Sequence, residues 1–168
     1  MDKQALKRLS FSALVAAMYA GATLLFAPLS FGALQCRFSE ALCILPFVYP
    51  ESVWGLFIGC LLANLMSGNI FDVIFGSLAT LLSALCIAAI GKRGQSGRNR
   101  LFACCMPVLF NAVIVGAVIT GEYEGKQISE NLGLYALNAG YIALGEALVM
   151  FALSLPLLRL LMKKEHLK

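Results

Sequence analysis

Glu146 interrupts an apolar run, residues 134–162, that is otherwise fit to cross a bilayer. A carboxylate at that depth costs roughly 2.5–3.5 kcal/mol on insertion scales, so a chain that keeps one there has a use or a partner for it. Asn138 lies eight residues earlier, within about 80° on a helical wheel, and Tyr141 is nearby. Asp72 follows the Ser67-Gly68-Asn69 turn, in the first turn of its helix. The helix dipole favours an anion there, so capping accounts for Asp72 as well as ligand contact does. Gly76 and Thr80 follow it at i+4 and i+8, a small and partly polar stripe. Asn64 and Asn111 each carry a donor and an acceptor. Either alone is also explained as helix-to-helix glue, worth about 0.6 kcal/mol.

A second group lies in the segment Ser30-Phe-Gly-Ala-Leu-Gln-Cys-Arg-Phe-Ser-Glu40. Arg37 and Glu40 are three apart and share one face of a helix, where they can pair. Gln35 adds an amide, and Phe31 and Phe38 add flat apolar surface. The segment reads either as a capped helix start with one interfacial ion pair or as part of a site. Taken together, a carboxylate, amides and aromatics drawn from several helices suit a small planar ligand with several N–H donors. A site built on such bonds rejects analogues that lack them, because its own polar groups are then left unpaired.

The elements that position these residues follow from composition. Sixty per cent of the 168 residues are hydrophobic and 13% are charged, more apolar surface than a soluble domain of this length can bury. Runs 9–27, 70–90, 101–120 and 134–162 are each long enough to cross about 30 Å of hydrocarbon. Eleven of the thirteen Lys and Arg fall in three clusters: Lys3, Lys7 and Arg8; Lys92, Arg93, Arg98 and Arg100; and Arg159, Lys163, Lys164 and Lys168. All three read as cytoplasmic, and the acidic loop with Glu122, Glu124 and Glu130 reads as external. The N-terminus and the basic loop 92–100 are then on one side, so an even number of crossings separates them. Region 34–66 must supply two of these crossings, or a re-entrant hairpin. The reading is two short helices, about 34–49 and 51–66, with Pro50 in the turn. The expected architecture is an all-α, single-domain membrane bundle of six transmembrane helices with both termini cytoplasmic.

The basic start resembles a signal peptide, but its apolar stretch is long and further spans follow, so it is read as the first span. Net charge +4 comes from the cytoplasmic clusters, without the aromatic interleaving of a nucleic-acid surface. The six cysteines form no C-x-x-C pair and His166 is the sole histidine, which argues against a zinc or haem centre. No G-x-x-x-x-G-K-[ST] motif is present, so uphill transport would draw on an ion gradient or another subunit. No paired acidic motif or serine–histidine set suggests a membrane-embedded enzyme. On the first helix, Ala13, Ala17 and Gly21 recur every four residues on one face, broadened by Ala16 and Ala20. Such a stripe admits a close helix, either from the same chain or from a partner.

The chain resembles the queuosine-precursor transporter family (QueT), the substrate-binding S components of energy-coupling factor (ECF) transporters. The matching strings are the segment from Ala27 to Leu42, Gly55-Leu-Phe-Ile-Gly-Cys-Leu-Leu-Ala-Asn64, Asp72-Val-Ile-Phe-Gly-Ser-Leu-Ala-Thr80, Pro107-Val-Leu-Phe-Asn111 and Gly145-Glu146. The resemblance implies a protein of the bacterial plasma membrane, driven by a coupling membrane subunit and two cytoplasmic ATPases, with no cofactor of its own. It implies that the Ala13/Ala17 face meets the coupling subunit, and that residues 28–40 form a lid over an outward-facing pocket. It implies a 7-deazaguanine solute such as queuine, preQ1 or preQ0. That base shows adjacent N–H and NH2 donors and a carbonyl acceptor. Glu146 or Asp72 would take the donors, with Gln35, Asn64 or Asn111 completing the edge and Phe38, Phe75 or Tyr141 stacking on the ring. Arg37 and Glu40 would bind the solute or latch the lid.

Overall fold

The computed structural model describes residues 2–30, 36–123 and 131–165, and among these residues there are helices and no strand. Helix α1 spans Lys3–Leu25 and opens on Asp2, whose side chain accepts the Gln4 N–H at 3.4 Å, satisfying one of the orphan donors of the first turn. A single turn, α2, covers Ala27–Ser30. A 3₁₀ helix, Phe38–Phe47, comes next and leads to α3, Ser52–Ser67. Gly68, at φ 78°, ends α3 in the left-handed conformation that glycine adopts without a Cβ penalty. A π turn, Asp72–Gly76, runs into α4, Ser77–Arg93. Helix α5 is Gly97–Val118, α6 is Leu132–Val149, and a further π turn, Met150–Ser154, joins α6 to α7, Leu155–Glu165.

Four stretches are long and apolar enough to cross a membrane: Lys3–Leu25, Asp72–Arg93, Gly97–Gly121 and Leu132–Lys163. The region between the first two differs from its expected form. The helix anticipated over 34–49 is a 3₁₀ helix from Phe38, and at about 2.0 Å per residue it rises only about 20 Å. Ser52–Ser67 rises about 24 Å at 1.5 Å per residue. Both are shorter than about 30 Å of hydrocarbon. Pro46 lies inside the 3₁₀ helix, where it withholds its N–H, and the helix ends one residue later.

The short 3₁₀ helix is the centre of the bundle. Cys43 and Leu45 pack with Val15, Tyr19, Val53, Leu56 and Cys60. Ile44 and Phe47 face the other way, onto Ile87, Ala103, Met150 and Leu158. The 3₁₀ coil is slimmer than an α-helix, and the chain around it approaches closely: a Cβ on Gly91 would stand 2.2 Å from the Phe47 carbonyl oxygen.

Contacts also set the direction of each pass. Along α1, Ser12 Oγ donates to the Glu51 carbonyl at 2.7 Å, the Tyr19 hydroxyl donates to Glu40, and Thr23 Oγ1 donates to Ser39 Oγ at 2.7 Å. The 3₁₀ helix therefore runs antiparallel to α1. Helix α3 then returns parallel to it, with Gly55 against Ser12 and Val15 and Gly59 against Ala16 and Tyr19. A Cβ at Gly59 would meet the Ala16 carbonyl at 2.7 Å, so only glycine permits this approach. The start of α1, the end of α4 near Phe47, and the Leu158–Met162 region meet at one end of the bundle. Among the described residues, Lys3, Lys7 and Arg8, the Lys92–Arg100 group, and Arg159 and Lys163 lie at or beside this end. The periphery is lined by exposed Leu9, Leu14, Met18, Ile74, Leu144 and Leu148, as a lipid-facing surface requires.

Candidate functional site

Buried polar side chains from six elements gather in the half of the bundle remote from the start of α1 and the end of α4. Arg37 and Glu40 come from the start of the 3₁₀ helix, Asn64 from the end of α3, Asp72 from the π turn and Thr80 from α4; Asn111 comes from α5 and Glu146 from α6. All seven are buried, and Glu40, Asn64 and Thr80 have no accessible surface. Three of them lie at a helix end or turn that the sequence marks: Arg37 is the N-cap of the 3₁₀ helix, Asn64 precedes Gly68, and Asp72 opens the π turn. Gln35 and Phe31 lie outside the described residues.

Glu40 is occupied by the protein. The Tyr19 hydroxyl donates to Oε1, Thr80 Oγ1 donates to the same oxygen at 3.4 Å, and the Cys43 thiol donates to Oε2 at 2.8 Å. Thr23, one turn beyond Tyr19, ties α1 to Ser39 beside it. Sequence reasoning passed over Tyr19, Thr23, Cys43 and Cys60. The available signal was two hydroxyl residues four apart, Tyr19 and Thr23, in the otherwise apolar second half of α1 and away from its alanine face.

Asn64 Nδ2 donates to the Asp72 carbonyl at 2.9 Å, with Ser77 Oγ and Cys60 Sγ each at 3.4 Å. Gly76 makes room for this amide. A Cβ there would stand 3.0 Å from Asn64 Nδ2 and 3.9 Å from an Arg37 terminal nitrogen. Those distances bring the Arg37 guanidinium beside Asn64. The same guanidinium donates from Nε to the Ser30 carbonyl at 3.3 Å, holding the chain after α1, and it is within coulombic reach of Glu40 and Asp72. Gly76→Ala is expected to displace Asn64 by a few tenths of an ångström. Solute affinity should fall about fivefold, the size of one weakened hydrogen bond of about 1 kcal/mol, with the fold retained. Titration calorimetry beside a melting curve checks this.

Asn111 Nδ2 donates to Glu146 Oε1 at 2.9 Å, so α5 supplies the partner anticipated for that carboxylate. Glu146 is within coulombic reach of Glu40 and Arg37, and of the Cys36 and Cys43 thiols. The segment leading into the 3₁₀ helix thus passes close to it. Asn138 is directed elsewhere, donating to Thr120 Oγ1 at 3.1 Å.

Two of the three aromatic assignments, Phe75 and Tyr141, do not fit the position of the rings. Tyr141 is 45% exposed on the outer side of α6, and Phe75 is 38% exposed and stacked on Phe71, at a centroid distance of 6.4 Å. Both side chains face away from the buried polar cluster, because positions 75 and 141 fall on the lipid side of their helices. Phe38 packs on Phe26 at 5.0 Å.

On α1, Ala13, Ala17 and Gly21 are exposed, and among the described residues outside its own turn nothing lies within 4 Å of where a Cβ on Gly21 would stand. The intrachain contact uses the adjacent face, and Ala16, expected to broaden the stripe, is buried there against Gly59. Ser12, Ala13 and Ala17 instead line a groove of about 670 Å³ whose other wall is Trp54, Ile58 and Leu62 of α3.

The family whose description matches this sequence is the QueT transporter, over residues 9–163 of 168. The chain belongs to the QueT transporter family. The comparisons with curated proteins and with solved structures returned no match. Membership of QueT, with four apolar helices of spanning length, makes the chain a multi-pass membrane protein of a transporter family. It also implies a small-molecule substrate and fits a role other than catalysis.

Proposed function

We propose that the chain is the substrate-binding S component of an ECF-type importer and captures a queuosine precursor, a 7-deazaguanine such as queuine, preQ1 or preQ0, at the outer face of the bacterial plasma membrane. On this reading the 3₁₀ helix and α3 complete six passes, with both termini and the basic loop 92–100 cytoplasmic. Residues 28–40 close over the solute. A coupling membrane subunit docks on Ala13, Ala17 and Gly21, and two cytoplasmic ATPases supply the energy, so the chain itself binds no cofactor.

One observation carries this reading: Arg37, Asn64, Asp72, Thr80, Asn111 and Glu146 converge, buried, from separate helical elements around the protein-bound Glu40. Buried charges and amides at this density weaken a membrane bundle unless something recoups their desolvation. A flat solute with several N–H groups and a carbonyl is matched to such a set, and the desolvated site would discriminate strongly against analogues. The gathering of the basic clusters at the opposite end supports an outward-facing site.

Purification of the protein from cells grown with queuine, followed by mass spectrometry of the extracted small molecules, tests the assignment. A stoichiometric 7-deazaguanine is the expected result. A different stoichiometric solute would retain the capture function and replace the substrate.

A further inference from the structure

Among the buried acceptors of the cluster, Glu146 Oε2 and Asn64 Oδ1 have no protein donor among the described residues. Both side chains are almost fully buried. The orientation of Asn64 is fixed, because its Nδ2 must face the Asp72 carbonyl at 2.9 Å, which turns Oδ1 the other way. In Glu146, Oε1 already accepts from Asn111, and that bond orients the carboxylate so that Oε2 is presented unanswered. Leaving a buried acceptor unanswered costs roughly 1–3 kcal/mol, more for a charged group, which is why such atoms are scarce in folded proteins. Glu40 is the contrast: donors from three side chains take both its oxygens. The Arg37 guanidinium lies near Asn64 and within coulombic reach of Glu146.

We infer that Glu146 Oε2 and Asn64 Oδ1 are the two acceptors that receive the solute's N–H groups, and that Glu40 is a structural carboxylate that does not touch the solute. The inference rests on the solute-capture reading above and decides between Glu40 and Glu146. Glu146 takes the adjacent N–H and NH2 pair of a 2-amino-oxo heteroaromatic ring as a fork: Oε2 is open and Oε1 has a second lone pair. Asn64 takes a further N–H on another edge.

The test is titration calorimetry of the full chain in detergent with two probes, 7-deazaguanine and 7-deazahypoxanthine, which differ by the exocyclic amine. The wild type should prefer 7-deazaguanine by about 100-fold or more. In Glu146→Gln the gap should shrink to within about tenfold, because an amide nitrogen replaces one acceptor. In Glu40→Gln the gap should persist, even where the melting point falls. Asn64→Ser should weaken both probes by a similar factor, about tenfold. If Glu146→Gln does not fold, Glu146→Asp, which retracts the carboxylate by one methylene, should narrow the gap instead.

A wild-type gap retained in the Glu146 variants, or one lost in Glu40→Gln, overturns the carboxylate assignment while capture itself stands. Unchanged binding by Asn64→Ser overturns the second acceptor. A wild type that binds neither probe removes the deazaguanine reading and this inference with it.

Discussion

Replacement of Ala13 or Ala17 by Trp is expected to abolish solute uptake by cells, while the purified chain binds its solute within about threefold of wild type. The physical basis is the separation of two faces on α1. Ser12, Val15, Ala16 and Tyr19 pack on Gly55 and Gly59, and Tyr19 and Thr23 tether the 3₁₀ helix; the exposed alanines do neither. An indole at position 13 or 17 fills the groove against Trp54, Ile58 and Leu62 without disturbing an internal contact. A partner helix that relies on close backbone approach is then held several ångströms away, and dispersion falls steeply with such a gap. Uptake of labelled queuine and calorimetry on the same variants separate the two effects. Wild-type uptake by both variants would show that the groove takes no essential partner. Lost binding would mean that the face supports the fold after all.

The second large effect is expected at Arg37. Among the described residues, the buried charged side chains are three carboxyl groups, Glu40, Asp72 and Glu146, and one guanidinium, Arg37. Arg37→Met keeps the volume and much of the apolar stem but withdraws the single positive charge. It also removes the Nε bond to the Ser30 carbonyl, which anchors the chain leaving α1. Breaking a buried charge arrangement by removing one partner costs about 3–5 kcal/mol. The variant should therefore melt well below wild type in detergent, with loss of solute binding at temperatures where the wild type binds. Arg37→Lys should recover only part of the stability, since an ammonium does not reproduce the planar fork that reaches both Ser30 and the Gly76 region. An unaltered melting curve for Arg37→Met would mean that the carboxyl groups do not depend on it.

Much of the architecture was legible without coordinates, because the bilayer leaves helices few options. Apolar runs of spanning length gave four helices, with boundaries near those of the structure, since a break in hydropathy and a Gly68 or Pro50 turn are local signals. The charge pattern called for two crossings or a re-entrant hairpin in region 34–66, and the structure places two short helical elements there. It could not say that the first would be a narrow 3₁₀ rod serving two packing clusters, because that shape is selected by its neighbours, such as Gly91 against Phe47.

The polar residues were conspicuous for the same reason: in an apolar sequence, Arg37, Glu40, Asp72, Asn111 and Glu146 stand out by type alone. Their division of labour was not legible. Glu40 and Glu146 look equivalent as letters, and only the placement of Tyr19, Cys43 and Thr80 around one, against a single Asn111 beside the other, distinguishes them. The choices of Phe75 and Tyr141 failed because helical phase decides which ring faces the interior. Phase follows from close packing across helices separated by dozens of residues, and no local pattern at Phe75 or Tyr141 reports it. By itself the sequence determined that this is a membrane bundle with charged groups inside it, through the high cost of placing a charge in hydrocarbon. The tertiary structure alone decided which of those charges are satisfied, because hydrogen bonding depends on ångström-scale geometry that composition does not contain.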